Sequence, residues 1–166
     1  RTLKIGDIPK ILETSAKVSG VIVPIIAMSL PLAQTLASLQ VPQAFVNFMT
    51  SLTSNPYLII VIMVAILMTA GCVMETTPNI VILAPLLLPL AQEIGMNEVH
   101  FCIFMVTALG IGFITPPLGL NLFVVSGVTQ VPIISISRYV FPFVATMLVI
   151  ALMIGYIPWI SLWLIN

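Results

Sequence analysis

Two short polar segments interrupt an otherwise apolar sequence and carry most of the residues able to do chemistry. The first, Gly71 to Asn79, reads Gly-Cys-Val-Met-Glu-Thr-Thr-Pro-Asn, and the second, Thr115 to Asn121, reads Thr-Pro-Pro-Leu-Gly-Leu-Asn and follows Gly110 and Gly112. A broken helix exposes carbonyl oxygens at one stump and amide donors at the other. Oxygen ligands suit a hard cation such as sodium, and amide donors suit a carboxylate.

The side chains at both breaks add oxygen atoms to these backbone groups. Thr76, Thr77 and Asn79 lie in the first segment, and Thr115 and Asn121 lie in the second. Two interrupted segments in one helical membrane protein point to a transporter site. We therefore predict that the breaks meet near the midplane and form a cation site with a substrate pocket beside it. The alternative is that both breaks are proline kinks that only shape helix packing.

Formal charge is scarce along most of the chain, which draws attention to the carboxylate in the first segment. After Lys17 only four residues are charged, namely Glu75, Glu93, Glu98 and Arg138. A carboxylate at membrane depth is tolerated where it is buried in protein or lines a wet cavity. Two interpretations of Glu75 stay open: a coupling carboxylate, or a group paired with a backbone donor or a neighbouring subunit.

The composition predicts an all-α polytopic membrane protein. The chain is 60% hydrophobic and 6% charged, whereas soluble domains carry about 25% charged residues. A net charge of zero without a basic patch argues against nucleic acid as a partner. With one histidine and no aspartate after Asp7, the chain lacks the nucleophile–base sets and metal clusters of enzymes. We expect neither enzymatic activity nor a cofactor.

The N-terminal third divides into three predicted elements. Residues 1–17 form an amphipathic helix in the membrane interface, although a solvated loop fits the pattern equally well. Residues 18–40 form an uncharged membrane span or scaffold-linking helix, which Pro24 and Pro31 should bend. Residues 41–56 are polar and rich in turn formers, which predicts an external turn region.

The remaining sequence predicts a hairpin, a broken helix and a final span. The apolar run 80–91 rises only about 18 Å as a helix, too little to cross a bilayer, so we predict a re-entrant hairpin within the membrane. Trp159 and Trp163 near the C-terminal end fit an aromatic interface belt. The predicted ranges are 57–92 for the hairpin with its tip at 71–79, 99–128 for the discontinuous helix with its break at 114–121, and 138–165 for the final helix.

The charged residues predict the orientation. Threading the elements in order places the cations on one side of the membrane and Glu93 and Glu98 on the other. Positive residues favour the cytoplasm, so the N-terminal arm is predicted to be cytoplasmic and the C-terminus periplasmic. A hairpin and a pair of full crossings give the same parity, so charge does not decide between them. These cations are Lys4, Lys10, Lys17 and Arg138, which are four of the five lysine and arginine residues.

For four other residues the sequence predicts a structural role. Cys72 and Cys102 lie 30 positions apart in apolar surroundings, so we expect two buried small hydrophobes. His100, beside Glu98 at an interface, is predicted to be a surface residue rather than a proton relay. Arg138 is predicted to anchor the topology.

Several segments resemble one transporter family. Gly71 to Asn79, followed by Ala84-Pro-Leu-Leu-Leu-Pro89, resembles the second hairpin of the large membrane subunit of TRAP (tripartite ATP-independent periplasmic) transporters. The segment Gly95-Met-Asn-Glu-Val-His100-Phe, leading into Gly110-Ile-Gly-Phe-Ile-Thr-Pro-Pro-Leu-Gly-Leu-Asn-Leu-Phe123, is similar to the same subunit. The resemblance covers essentially the whole chain.

The resemblance implies the second inverted repeat of an elevator-type transporter with a re-entrant helical hairpin and a discontinuous helix. It further implies sodium-driven import of an organic anion, such as sialic acid or a C4-dicarboxylate, across a bacterial inner membrane. Sodium is then the coupling ion. The implied partners are the N-terminal repeat of the same permease, a small membrane subunit, a periplasmic substrate-binding protein and the lipid bilayer. We expect the chain to belong to a longer polypeptide or to be one half of a split one.

Under this family interpretation the site residues fall into two groups. The alternative to this transport function is a non-transporting membrane scaffold or assembly subunit, which would need neither group. The residues predicted to bind sodium are Gly71, Glu75, Thr76, Thr77, Gly110, Gly112, Thr115 and Pro116. The residues predicted to bind substrate are Thr77, Pro78, Asn79, Pro117 and Asn121.

Overall fold

A computed structural model describes residues 6, 8–74, 76–116 and 119–163 of the chain. The described residues form eight α-helices and no strand, which confirms the predicted all-α class. The helices are α1 (Ile8–Ser38), α2 (Val41–Leu52), α3 (Pro56–Val73), α4 (Thr76–Glu93), α5 (Glu98–Ile114), α6 (Leu120–Thr129), α7 (Ile133–Tyr156) and α8 (Pro158–Leu162).

Helix α1 is one continuous helix through Pro24 and Pro31, whereas the sequence predicted an arm over 1–17 and a separate span over 18–40. The helix continues across this boundary even though Ser19 and Gly20 follow it. The Lys17 Nζ atom lies 2.6 Å from Glu13 Oε1 on the exposed face of α1, a spacing that supports a helix. Residues 1–5 and Asp7 lie outside the described part of the chain.

The turn region predicted over 41–56 is wrong for most of its length, because Val41–Leu52 forms α2. A proline in the first turn of a helix is tolerated, since the amide that it lacks has no partner there in any case, and α2 has its proline at that position. The apolar Val46 and Met49 side chains are buried, and α2 packs against α4. Burial of this face favours helix over the turn that the polar residues suggested.

Helices α3, α5 and α7 pack together and contain most of the core. The largest fully buried side chains include Leu67 of α3 and Phe101 and Phe104 of α5. Helices α3 and α5 run in the same direction, because Ile60 and Phe104 meet around Gly155 at one end while Gly71 and Gly112 meet at the other. The intervening helix α4 makes this parallel pairing possible by returning the chain.

Helix α4 begins at Thr76 and includes Pro85 and Pro89. It is therefore longer than the apolar run 80–91, because Thr76 to Asn79 form its first turn rather than an irregular tip. Only Met74 is described between α3 and α4, and its backbone is extended. The apolar face of α4 buries Leu87 and Leu90 in the same core as α3 and α5.

Two of the described helices, α3 and α7, are long and apolar enough to span a membrane by length and composition. Helix α5 is shorter and also apolar. Large side chains such as Tyr139, Phe141 and Phe143 of α7 are exposed, as expected of a surface that faces hydrocarbon or another membrane helix. Helix α5 ends at Ile114 and α6 begins at Leu120, and the predicted break covers 114–121.

Candidate functional site

The two breaks are brought together by a backbone contact between Gly71 of α3 and Gly112 of α5. A methyl group added to Gly112 would lie 2.6 Å from the Gly71 carbonyl carbon and 2.6 Å from the Met68 carbonyl oxygen. A methyl group added to Gly71 would lie 2.6 Å from the Leu109 carbonyl oxygen and 3.2 Å from Gly112 Cα. The helices touch backbone to backbone, and only glycine leaves room for this approach at both positions.

This contact places two helix C-termini side by side. Gly71 lies two residues before the end of α3 at Val73, and Gly112 lies two residues before the end of α5 at Ile114. The last carbonyl groups of a helix lack intrahelical donors, and the C-terminal end carries a partial negative charge. Two such ends in contact favour a cation and disfavour an anion at this place.

The two prolines that follow α5 leave carbonyl oxygens at its end without the N–H donors that a continuing helix would supply. Pro116 and Pro117 lack an N–H and therefore cannot donate to the carbonyls of Gly112 and Phe113, four residues earlier. Gly112 O instead accepts a hydrogen bond from the Thr115 amide at 3.0 Å. The Thr115 hydroxyl donates to Ile111 O at 2.6 Å, so its oxygen lone pairs remain available to a ligand.

The first turn of α4 follows the end of α3 directly. Thr76, Thr77 and Pro78 are half-buried there. Asn79 is buried, and its Nδ2 atom donates to the carbonyls of Ala70 at 3.1 Å and Met74 at 3.0 Å. Both amide hydrogens of Asn79 are thus committed within the protein, and its contact with substrate stays a prediction.

The other predicted site residues are not brought to this contact. Gly110 lies on the other face of α5 from Gly112, and a methyl group added to it would meet open space. Asn121, at the start of α6, is exposed. Glu75 and Pro117 lie outside the described residues. Gly71 and Gly112 are therefore in contact, and Thr115 and Pro116 follow Gly112 just beyond the end of α5. Gly110 and Asn121 do not lie at this contact.

His100 is buried, so its prediction as a surface residue is wrong. Its exposed fraction is 1%, and its Nε2 atom lies 2.6 Å from the carbonyl oxygen of Ile154 in α7. That carbonyl cannot accept a hydrogen bond from the residue four positions later, because Pro158 has no N–H. Nε2 therefore carries the proton and donates to Ile154 O, which joins α5 to α7. The proline four residues after Ile154 was a signal in the sequence for this orphaned carbonyl.

The prediction of two buried cysteines holds for Cys72 and is wrong for Cys102. Cys72 is buried beside the Gly71–Gly112 contact, whereas Cys102 is exposed on the surface of α5. An apolar sequence context indicates burial only when the surroundings are water. On a membrane helix a small apolar side chain is equally stable facing lipid.

The chain has extensive similarity to known transporter proteins. Residues 1–160 match the family described as Tripartite ATP-independent periplasmic transporter, DctM component. The C4-dicarboxylate TRAP transporter large permease protein DctM of Pseudomonas aeruginosa is 37% identical over 166 residues, which are 100% of this chain and 39% of that protein. The corresponding protein of Rhodobacter capsulatus is 34% identical over 100% of this chain and 38% of its own length.

A third relative is the isethionate TRAP transporter permease protein DctMQ of Oleidesulfovibrio alaskensis. It is 35% identical over 158 residues, which are 95% of this chain and 25% of that protein. The chain thus spans between a quarter and about two fifths of the length of these relatives. The family match covers almost the whole chain, and the family consists of membrane-embedded transport components rather than enzymes. The chain therefore belongs to the DctM family of TRAP transporter large permease proteins.

Proposed function

We propose that the chain is part of the permease subunit of a sodium-coupled secondary transporter that imports an organic anion. Family membership supports transport, and the relatives are named for C4-dicarboxylate and isethionate. Both of these are small organic anions. A carboxylate such as a C4-dicarboxylate is the proposed substrate class, and sialic acid, also a carboxylate, belongs to it.

The observation that carries the proposal is the meeting of two helix C-termini at the Gly71–Gly112 contact. Each end supplies carbonyl groups without intrahelical donors, and the partial charges of both ends attract a cation. Thr115 adds a hydroxyl oxygen beside these carbonyls. An all-oxygen site of this kind suits sodium, which is the ion that we propose for coupling.

The first turn of α4 is the proposed place for the anion. Thr77 and Pro78 are half-buried in this turn, where amide groups point away from the helix and the partial charge is positive. The cation would thus lie at the negative ends of α3 and α5, and the anion beside it at the positive end of α4. This order of partial charges couples the binding of the two ions without a charged side chain from the described residues.

The remaining parts of the proposal concern the assembled transporter. We propose that α3 and α4 form a re-entrant hairpin that moves with α5 and α6 against a fixed scaffold. A periplasmic binding protein delivers the substrate, and an N-terminal repeat and a small membrane subunit complete the permease. The complex lies in the bacterial inner membrane with the N-terminal arm cytoplasmic and the C-terminus periplasmic.

Uptake into proteoliposomes tests the proposal. The full-length permease is reconstituted with its small subunit and binding protein, and uptake of labelled succinate, isethionate and sialic acid is measured with and without an inward sodium gradient. We expect uptake of at least one anion that requires both sodium and the binding protein. Uptake that is indifferent to sodium would contradict the proposed coupling, and no uptake of any of the three would favour the scaffold alternative.

A single hydroxyl group provides a finer test of the cation site. Thr115→Val removes a proposed ligand, and because contacts to a charged group contribute about 1.5–3 kcal/mol, we expect at least about tenfold weaker sodium binding. Thr76→Val tests the second proposed hydroxyl ligand. Thr107→Val is the matched control, since Thr107 also lies in α5 and its hydroxyl makes the same bond to the carbonyl four residues earlier. Equal sodium affinity in all three variants would contradict these ligand assignments.

A further inference from the structure

The side chain of Asn79 joins the two helices on either side of the first break. Its exposed fraction is 2%, and its amide nitrogen donates to Ala70 O at 3.1 Å and to Met74 O at 3.0 Å. Ala70 and Met74 belong to the end of α3, whereas Asn79 belongs to the first turn of α4. One buried side chain from α4 therefore binds the C-terminal end of α3.

These bonds lie at the point where α3 ends: one is a second hydrogen bond to Ala70 O, and the other reaches Met74 O just beyond the helix. Ala70 O accepts the Met74 amide at 2.9 Å, but the backbone of Met74 is already extended, with φ −126° and ψ 153°, and the regular helical pattern stops there. A nitrogen with two hydrogens bridges two carbonyls at once, which a serine or threonine hydroxyl with one hydrogen does not do. An asparagine is therefore suited to bind both carbonyls from this position.

A carbonyl that accepts an N–H is less available to a cation, so Asn79 separates the carbonyls of the first break into two groups. Those of Ala70 and Met74 are bound, whereas no donor from the described residues reaches those of Gly71, Cys72 and Val73. We propose that Asn79 is a positioning residue for the cation site, holding the last turn of α3 so that these three carbonyls face the end of α5. This inference rests on the proposed sodium-coupled function and assigns Asn79 no contact with the transported anion.

Substitution of Asn79 in the full-length permease tests the inference through sodium affinity. Asn79→Leu keeps the approximate size of the side chain and removes both donors. We expect sodium binding, measured by calorimetry on the purified protein, to weaken about tenfold or more, because both hydrogen bonds that hold the turn are lost. The KM for the anion at saturating sodium should stay within about twofold, since a positioning residue acts on the anion only through the cation.

The matched control is Asn97→Leu. Asn97 caps α5 at the opposite end from the Gly71–Gly112 contact, with its Oδ1 atom accepting the Val99 amide at 2.9 Å. This variant loses a side-chain hydrogen bond to the backbone and should lower stability while leaving sodium affinity unchanged. A fall in sodium affinity of the same size in both variants would mean that Asn79 acts only through general stability, and would overturn the inference.

A second readout does not depend on sodium. Val73 is exposed, so Val73→Cys reports the mobility of the end of α3 through its rate of reaction with a small maleimide, measured without sodium in a background lacking Cys72 and Cys102. We expect faster reaction when Asn79→Leu is added. If the parent protein binds no sodium, the proposed function fails while this rate still tests the bridge between the helices.

The combined outcomes decide the inference. Unchanged sodium affinity with an unchanged reaction rate would overturn it. A raised KM for the anion with unchanged sodium affinity would also overturn it, because Asn79 would then act on the substrate. Weaker sodium binding together with faster labelling and a nearly constant KM is the result that supports the positioning role.

Discussion

The contact between Gly71 and Gly112 gives the sharpest quantitative prediction, which concerns Gly112→Ala. The added methyl group would lie 2.6 Å from backbone atoms of both Met68 and Gly71. Carbon atoms in contact normally lie about 3.5–4.0 Å apart, so the ends of α3 and α5 must separate by about 1 Å. Because the obstacle on each side is backbone, a side-chain rotation cannot relieve it.

The expected magnitude follows from two opposing terms. Overpacking a close contact costs about 1–3 kcal/mol, whereas alanine is favoured over glycine inside a helix by about 1 kcal/mol. We expect overpacking near the upper end of its range because the helices meet at backbone atoms, so the free energy of unfolding should fall by up to about 2 kcal/mol. Sodium affinity should fall as well, since the carbonyls of the two helix ends move apart.

Gly110→Ala is the control, because it makes the same substitution two residues earlier in the same helix. A methyl group at Gly110 meets no atom within 4 Å, so only the helix-propensity term applies and the variant should be as stable as the parent or more stable. Unfolding of the full-length permease by SDS in mixed micelles measures both stabilities, and calorimetry measures sodium affinity. Equal effects of the two substitutions would refute the close-contact reasoning.

Two further predictions concern the other end of α5. His100→Leu removes the donor to Ile154 O and leaves that buried carbonyl without its hydrogen bond, so we expect the free energy of unfolding to fall by about 1–3 kcal/mol. The control, Tyr156→Phe, removes an exposed hydrogen bond of 3.3 Å and should change the free energy of unfolding by less. Equal effects of the two substitutions in SDS unfolding would contradict the role of His100. Asn97→Ala removes the N-cap of α5 and should lower the free energy of unfolding by about 1 kcal/mol. Asn97→Asp retains an acceptor oxygen at the N-cap and should lower it little. A larger loss of stability with aspartate than with alanine would contradict the capping role.

The sequence did not correctly predict which polar and small residues are buried. His100 stands beside Glu98 near a turn and was assigned to the surface, yet it lies in the core. Its burial depends on the return of α7 to α5, a contact between residues more than fifty positions apart, which local pattern does not reveal. Cys102 shows the converse error, since an apolar neighbourhood in a membrane helix does not distinguish a buried face from a lipid-facing one.

Local sequence was also misleading where propensity and packing competed. Residues 41–56 contain prolines and asparagines that indicate turns, yet Val41–Leu52 forms α2 because burial of Val46 and Met49 against the core favours a helix. At the first break the polar residues suggested irregular backbone from Gly71 to Asn79, whereas helix extends to Val73 and resumes at Thr76. Of the described residues from Gly71 to Asn79, only Met74 lies outside a helix.

By itself the sequence determined the helical class and the location of the polar segments, because apolar content, prolines and glycines act locally on the backbone and can be identified along the chain. The family followed from the resemblance of its motifs to the large subunit of TRAP transporters. Only the tertiary structure decided which of those residues meet. The parallel packing of α3 and α5 selects Gly71 and Gly112 for contact and turns Gly110 away. It likewise commits the amide of Asn79 to the end of α3. Such choices depend on helix rotation and direction, which follow from burial of whole faces rather than from any single residue.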